Sequence, residues 1–362
     1  MTTLVWPSEA ISKTVLDTLT GPGGPFELRE EEVLGALVLV FANRPRSIIQ
    51  LLRSAAERMG DKPYVIFPER EYTFASILQP IAAVAAALRD QYGVGPGDRV
   101  AVVAPNTVEY ALTFWATTAL GAVTVGLNGW WTGEEIAYAV ELTEPKVLLG
   151  DRRRLARLEG VELPADLPVL SFEDDFPALE AYAPDAPFPD VELDEDDPFV
   201  ILFTSGTTGR PKGVMLSHTN FIVSSINWIA TLHFSDQTVY LHSAGLFHLA
   251  GTSPAFALTM AGGTHVCLPK FDAVLAFEAI QRHRINYVLF VPTMINMMLN
   301  HPDFDRYDLS SVRYCEYGAS PMPDAVLARA IEKLPGWEFI QGYGMTETAA
   351  LTVSLPWRFH FD

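Results

Sequence analysis

The segment FTSGTTGRPKG, from Phe203 to Gly213, gathers four Thr or Ser hydroxyls, three glycines and one lysine into eleven residues. Glycines let backbone amides converge on an anion, hydroxyls donate further hydrogen bonds to its oxygens, and Lys212 adds a positive point charge. That combination reads as a polyphosphate cradle. It is not a P-loop: counting from Gly206, the position of the second glycine is Pro211, and Lys212 is followed by Gly213. The phosphate must therefore be held in another geometry. The competing reading is a Gly/Thr surface loop that merely joins a strand to the next helix. Such a linker does not explain a Pro-Lys-Gly terminus directly after the apolar run FVILF.

The rest of the chain limits what that cradle can serve. Twenty-five basic against forty-four acidic side chains give a net charge of -19, which repels nucleic acid and anionic lipid alike. An anionic ligand must be drawn in by local donors against that field. Cys267 and Cys315 are the two cysteines, too far apart for a metal-ligand spacing, so neither a disulfide scaffold nor a zinc site is expected and a reducing cytoplasm fits. No basic segment followed by an apolar run opens the chain as a secretory signal would.

The elements that must position the cradle follow from periodicity. Residues 26–41 read as a hairpin turning near Gly35. Ile48, Ile49, Leu51, Leu52, Ala55 and Ala56 recur at helical spacing up to Gly60. YTFASILQPIAAVAAALRDQYG reads as a helix bent by its internal Pro80, and DRVAVVAPN as a buried strand. Tyr110 to Gly133 carries no charge and is long enough to span a bilayer, but Gly121, Gly126 and Asn128 interrupt it. It is better read as a buried helix (Tyr110 to Leu120), a Gly121 cap and a core strand (Ala122 to Leu127). The proline- and acid-rich stretch from Leu163 to Asp197 reads as a boundary between lobes or, equally, as a long solvated surface excursion inside one domain. Beyond it, strands at 199–203, 239–241 and 287–291 and in VRYCEYG and WEFIQGYG alternate with helices near 274–283, 294–299 and 324–334. The expected fold is α/β, with mostly parallel sheets flanked by helices in two lobes. The expected organisation is an N-terminal extension with a hairpin (1–46), a first lobe (47–190) and a second lobe carrying the ligand motifs (191–362). Ligands of such sheets gather at the carboxyl ends of strands, where the opening segment sits.

At this level of detail FTSGTTGRPKGVMLSH resembles the phosphate-binding signature of the adenylate-forming superfamily, which includes acyl-CoA synthetases, peptide-synthetase adenylation domains and luciferases. YTFASI, GVGPGDRVAVVAPNTVEY and GAVTVGLN resemble its early blocks, and LFHLAG, YGASPM and QGYGMTET its substrate and nucleotide blocks, all in the family's order. The likeness runs from about Ser47 to about Ser354. Family members continue with a ribose-binding aspartate, a hinge and a small domain bearing a catalytic lysine, so the resemblance identifies the chain as the layered N-terminal domain without its C-terminal domain, and implies impaired turnover by the chain alone.

The implied reaction is attack of a carboxylate on the α-phosphate of ATP, giving an acyl-adenylate and pyrophosphate, followed by transfer of the acyl group to coenzyme A. Positioning and charge neutralisation suffice for it, consistent with the lack of any Ser/His/Asp pattern. Carried over by position, Thr204, Ser205, Gly206, Thr207, Thr208, Gly209 and Lys212 would cradle the β- and γ-phosphates. Arg210 falls at a variable position and reads as a solvated charge. Thr346 would donate to the α-phosphate and Glu347 would bind Mg²⁺; a helix-terminal charge is the other reading for Glu347, since TAALTV could begin a helix. The ring of Tyr343 would stack on adenine, while Gly318, Ala319 and Ser320 would lie along the base and the acyl pocket, although a sharp strand-to-helix turn would also favour Gly318. His248 resembles the histidine at the mouth of the carboxylic-acid pocket; a satisfied core histidine is the other reading of a lone His among apolar residues. Gly245 and Thr252 depart from the family pattern there and leave chain length open.

The implied function is ATP-dependent activation of a carboxylic, fatty acid, with ATP, Mg²⁺ and coenzyme A as cofactors and co-substrates. The alternatives are a nucleotide or acyl-adenylate binding module without turnover, and an aryl-CoA or acyl-AMP ligase. No nucleic acid or membrane span is expected as a partner, and homodimerisation is left open.

Overall fold

A computed structural model describes residues 9–33, 35–204 and 209–361. Helix α1 (Glu9–Thr20) leads to the hairpin of β1 (Leu28–Val33) and β2 (Ala36–Phe41). Val33 pairs with Ala36, and Gly35 takes the positive φ of 80° that the tight turn requires. Helix α2 (Ile48–Met59) starts where the Ser47 hydroxyl accepts from the Gln50 N–H and stops at Gly60, φ 53°. Its buried stripe is the apolar series visible in the sequence.

One expected helix resolves differently. Residues 71–73 form β4 (Glu71–Thr73), paired with β3 (Pro63–Ile66), and α3 (Leu78–Tyr92) begins only at Leu78. Pro80 therefore lies in the first helical turn, where a missing N–H costs nothing and no bend is needed. Next come β5 (Arg99–Val103), α4 (Val108–Ala119) and β6 (Val123–Gly126), with Gly121 at φ 69° between the last two. The uncharged stretch is thus a buried helix and strand, and among the described residues no helix is long and apolar enough to cross a membrane.

Helix α5 (Gly133–Thr143), β7 (Val147–Gly150) and α6 (Arg152–Leu155) follow. The supposed lobe boundary contains β8 (Val169–Ser171) and α7 (Phe176–Ala181), after which come β9 (Pro198–Thr204) and β10 (Lys212–Ser217). A six-stranded sheet runs β10-β9-β6-β5-β7-β8, parallel except for β10. The remainder of the chain contributes α8 (His218–Leu232), β11 (Val239–His242), α9 (Leu249–Ala261), β12 (Thr264–Cys267) and α10 (Ala273–His283). It ends with β13 (Tyr287–Phe290), α11 (Pro292–Leu299), β14 (Tyr314–Gly318), α12 (Asp324–Lys333), β15 (Glu338–Met345) and β16 (Ala350–Leu355). An eight-stranded sheet is ordered β16-β15-β14-β13-β11-β12-β3-β4, with antiparallel strands only at its edges.

The sheets do not follow a cut at residue 190. Strands β9 and β10 complete the sheet of the first half, and β3 and β4 extend the sheet of the second. Alternation along each strand explains the layering. Val100 and Val102 face a core shared with α2, α3, α4, α8 and α9, whereas Ala101 and Val103 face α5. Tyr240 and Tyr287 face that same shared core, while Leu241 and Val288 face α10, α11 and α12. The order is helix, sheet, helix, sheet, helix.

Candidate active site

The carboxyl ends of the two sheets meet at one cleft of about 500 Å³. From the six-stranded sheet come Thr204, the last residue of β9, and Lys212, the first of β10, which are register partners. The cradle segment therefore joins two antiparallel strands and does not lead from a strand to a helix. Gly209 takes φ 89° shortly before β10. Ser205, Gly206, Thr207 and Thr208 lie outside the described residues.

From the eight-stranded sheet come Gly318, Ala319, Gly342, Gly344, Thr346 and Glu347. The turn Thr346–Thr348 packs against both β9 and β10, so the two motifs face each other across the cleft. Thr346 is buried and Glu347 exposed. The segment after Glu347 pairs with β15 as a strand, which rules out the helix-terminal reading of its carboxylate. Gly318 and Gly342 are paired in register, and a Cβ on Gly318 would overlap the Gly342 carbonyl oxygen. Close backbone approach is what fixes glycine there. Three alanines at the site, Ala319 (φ 62°), Ala349 (φ 54°) and Ala350 (φ 103°), hold backbone conformations that L residues rarely adopt. Such strain concentrates where a binding surface over-determines the chain.

His248 lines the same cleft as the N-cap of α9, its Nδ1 accepting from the Ala250 N–H at 3.2 Å. Leu249, Ala250, Leu289, Ala350 and Leu351 make the adjoining wall apolar. Ser320 is exposed and outside the lining. Tyr343 sits between two lining glycines but is itself 65% exposed and outside it. Arg210 and Gly209 open onto a separate groove with Glu134, Glu135 and Glu141, and the Arg210 guanidinium stands 5.2 Å over the Tyr138 ring. Thr252 is buried; its hydroxyl donates to the Leu246 carbonyl, and it lines a small apolar cavity of about 60 Å³ beside the cleft.

Two lining residues with polar side-chain atoms have no counterpart in the sequence analysis. Glu316 is 4% exposed, and burial pushes its carboxyl up to about 8. Trp228, 3% exposed, reaches the cleft from α8. A signal for Glu316 was present: it is the one charged residue in the core strand YCEYG. Trp228 carried none, because an indole on a core-facing helix looks like packing.

The arrangement offers the Thr204 hydroxyl and the Lys212 cation on one lip, a hydroxyl and a carboxylate on the other, and an apolar recess behind. A lone carboxylate such as Glu347 suits Mg²⁺ whose other ligands come from phosphate and water, and among the described residues no cluster of three or more acidic, His or Cys side chains forms an all-protein metal site.

The family model described as AMP-binding enzyme matches residues 52–360. The chain is 33% identical to 4-coumarate--CoA ligase 2 of Oryza sativa subsp. japonica, over 83% of this chain and 57% of that protein. It is 30% identical to the long-chain-fatty-acid--CoA ligase FadD13 of Mycobacterium tuberculosis, over 71% of this chain and 51% of that protein. Among solved structures, the N-terminal domain of FACL13 from Mycobacterium tuberculosis superposes with a TM-score of 0.80 at 27% identity, covering 86% of this chain and 79% of that one. The chain spans about half the length of the curated relatives it matches.

Proposed function

The chain belongs to the AMP-binding enzyme family, and from that premise we propose that its cleft activates a carboxylic acid with ATP, as the nucleotide-binding portion of an AMP-forming acid–thiol ligase. The observation that carries the reading is the meeting of Thr204 and Lys212 with Thr346 and Glu347 across one cleft, with His248 and an apolar wall beside them. In this reading the acid's carboxylate oxygen bonds to the α-phosphorus of ATP, and the bond from that phosphorus to the pyrophosphate oxygen breaks. Lys212 and the hairpin hydroxyls stabilise the negative charge on the departing pyrophosphate, and the Thr346 hydroxyl donates to the α-phosphate. Glu347 holds Mg²⁺, which supplies neutralisation of phosphate charge when bound. His248 stands where the acid enters. In the second step the sulfur of coenzyme A attacks the acyl carbonyl, its proton leaves, and AMP is released.

The apolar wall of Leu249, Leu289 and Leu351 supports an acid with a hydrocarbon body, and the similarity to a long-chain-fatty-acid ligase supports a fatty acid. The similarity to 4-coumarate ligases supports an aryl acid as the second reading. Acid-dependent exchange of labelled pyrophosphate into ATP tests the first step. Exchange that appears with a carboxylic acid and vanishes without it is the expected result. ATP binding with no exchange for any acid, in a protein carrying everything its relatives carry, would leave only a binding module.

A further inference from the structure

Three buried polar atoms around the inner end of the cleft have no hydrogen-bond partner among the described residues: Glu316 Oε2, Trp228 Nε1 and the Tyr287 hydroxyl. Two of these residues, Glu316 and Trp228, line the cleft itself. Strand alternation places them. Tyr314, Glu316 and Gly318 share the sheet face that looks toward α8 and α9, and Glu316 pairs with Leu289 on one side and Ile340 on the other. Gly318 and Gly342 stand at the strand ends just beyond it. A Cβ on Gly342 would come within 2.5 Å of Glu316 Oε1, so glycine at that position keeps the carboxyl reachable along the sheet. Phe234 packs against both Trp228 (ring centroids 5.6 Å) and Tyr287 (4.7 Å), which ties the indole and the phenol to one wall.

A buried polar group without a partner loses its hydration for nothing in return, and an evolved fold retains few of them. Tyr287 could be excused as packing. A carboxyl at 4% exposure, inside an otherwise apolar recess, could not. We propose that Glu316 and Trp228 form the polar end of the acyl subsite, and that the acid activated here carries a hydroxyl group on an otherwise apolar body. The inference rests on the acid-activating reading above and adds the class of acid to it. A hydroxyl fits both groups, since it can donate to a carboxyl oxygen and accept from an indole N–H, which only donates. An ammonium group cannot accept from Trp228. Among the described residues no group of three or more acidic, His or Cys side chains stands there to hold a metal ion. Burial, which holds the carboxyl in its neutral form, also favours a neutral partner.

The test compares matched acids, ω-hydroxydodecanoate with dodecanoate and para-hydroxyphenylpropanoate with phenylpropanoate, by calorimetric titration of the 362-residue chain with ATP titrated in parallel. The hydroxylated member of at least one pair should bind about tenfold tighter or better, the scale of one well-made hydrogen bond in a buried site. Glu316→Gln, which keeps an acceptor and a donor, should retain most of that preference, and Glu316→Leu should bring the ratio near one while the plain acid binds as well or better. ATP affinity should not move in either variant, and melting temperatures establish that both are folded. Acids that bind with no preference for a hydroxyl overturn this inference and leave acid activation standing. So does an ω-amino acid preferred over the ω-hydroxy acid, or a Glu316 variant that weakens ATP instead. Normal ATP binding with no acid bound removes the acid site itself, and the inference with it.

Discussion

The ion cluster beneath the N-terminal hairpin and the carboxyl at the back of the cleft both bury ionisable groups, and they treat them oppositely. Arg44, its side chain 0% exposed, donates to Glu31 at 2.6 Å, to Glu195 at 2.7 and 2.9 Å, and to the Phe41 carbonyl at 2.9 Å. Arg46 adds a second guanidinium to the same two carboxylates. Every charge there is answered, and the cluster pins the hairpin to the acidic segment before β9. Glu316 is answered by nothing among the described residues, and it faces a ligand cleft. Paired burial marks a residue that holds the fold together, whereas unpaired burial beside a cleft marks one that waits for a ligand.

Variants should separate the two regions. Arg44→Ala leaves Glu31 with Arg29 and Arg46, and Glu195 with Arg46 alone, and should cost about 3 kcal/mol of unfolding free energy by urea denaturation, with ATP affinity of the folded protein unchanged. A loss of ATP affinity without loss of stability would abolish the distinction.

The pH dependence should carry opposite signs. Hydrogen bonds from Arg44 and Arg46 hold Glu31 down at about 2, against an ordinary 4.5, so its contribution is full above 4.5 and is lost as pH falls toward 2. Glu316 is raised to about 8, so its contribution is full below 4.5 and is lost as pH rises through 8. Buried His218 and His242, pushed down to about 4 and about 3, destabilise the protein as pH falls below 6.5. The Glu316 effect is therefore read as a difference between wild type and Glu316→Gln. Between about pH 5 and pH 8 the wild type should lose stability relative to the variant by up to about 1.4 kcal/mol per pH unit. Parallel curves would mean that the carboxyl is solvated or paired.

The smallest effect belongs to a residue of the cradle segment that faces elsewhere. Arg210→Ala should change ATP affinity by less than about threefold, because its guanidinium lies over Tyr138 in a different groove and an exposed charge contributes little. A tenfold loss in a nucleotide titration would place Arg210 in the site.

Local signals were legible where one residue decides the backbone. Ser47 and Gly60 bracket α2, Gly35 makes the hairpin turn and Gly121 separates a helix from a strand. Pro80 misled because its meaning depends on where the helix starts, and that was set by the pairing of β4 with β3. The six-stranded sheet could not be read from order along the chain, since β9 joins β6 across the intervening β7 and β8. For the same reason no spacing rule connects Thr204 to Thr346; only the meeting of two sheets does. Glu316 was a visible anomaly in a core strand, but its lack of a partner is a property of the packed interior.

The central claim is that the hairpin and the turn after β15 together bind the triphosphate of ATP, and calorimetric titration of MgATP into wild type, Lys212→Ala and Thr346→Ala tests it most directly. The account predicts roughly ten- to a hundredfold weaker binding in both variants, with melting temperatures close to wild type for exposed Lys212 and somewhat lowered for buried Thr346. Unchanged affinity in both folded variants would contradict it.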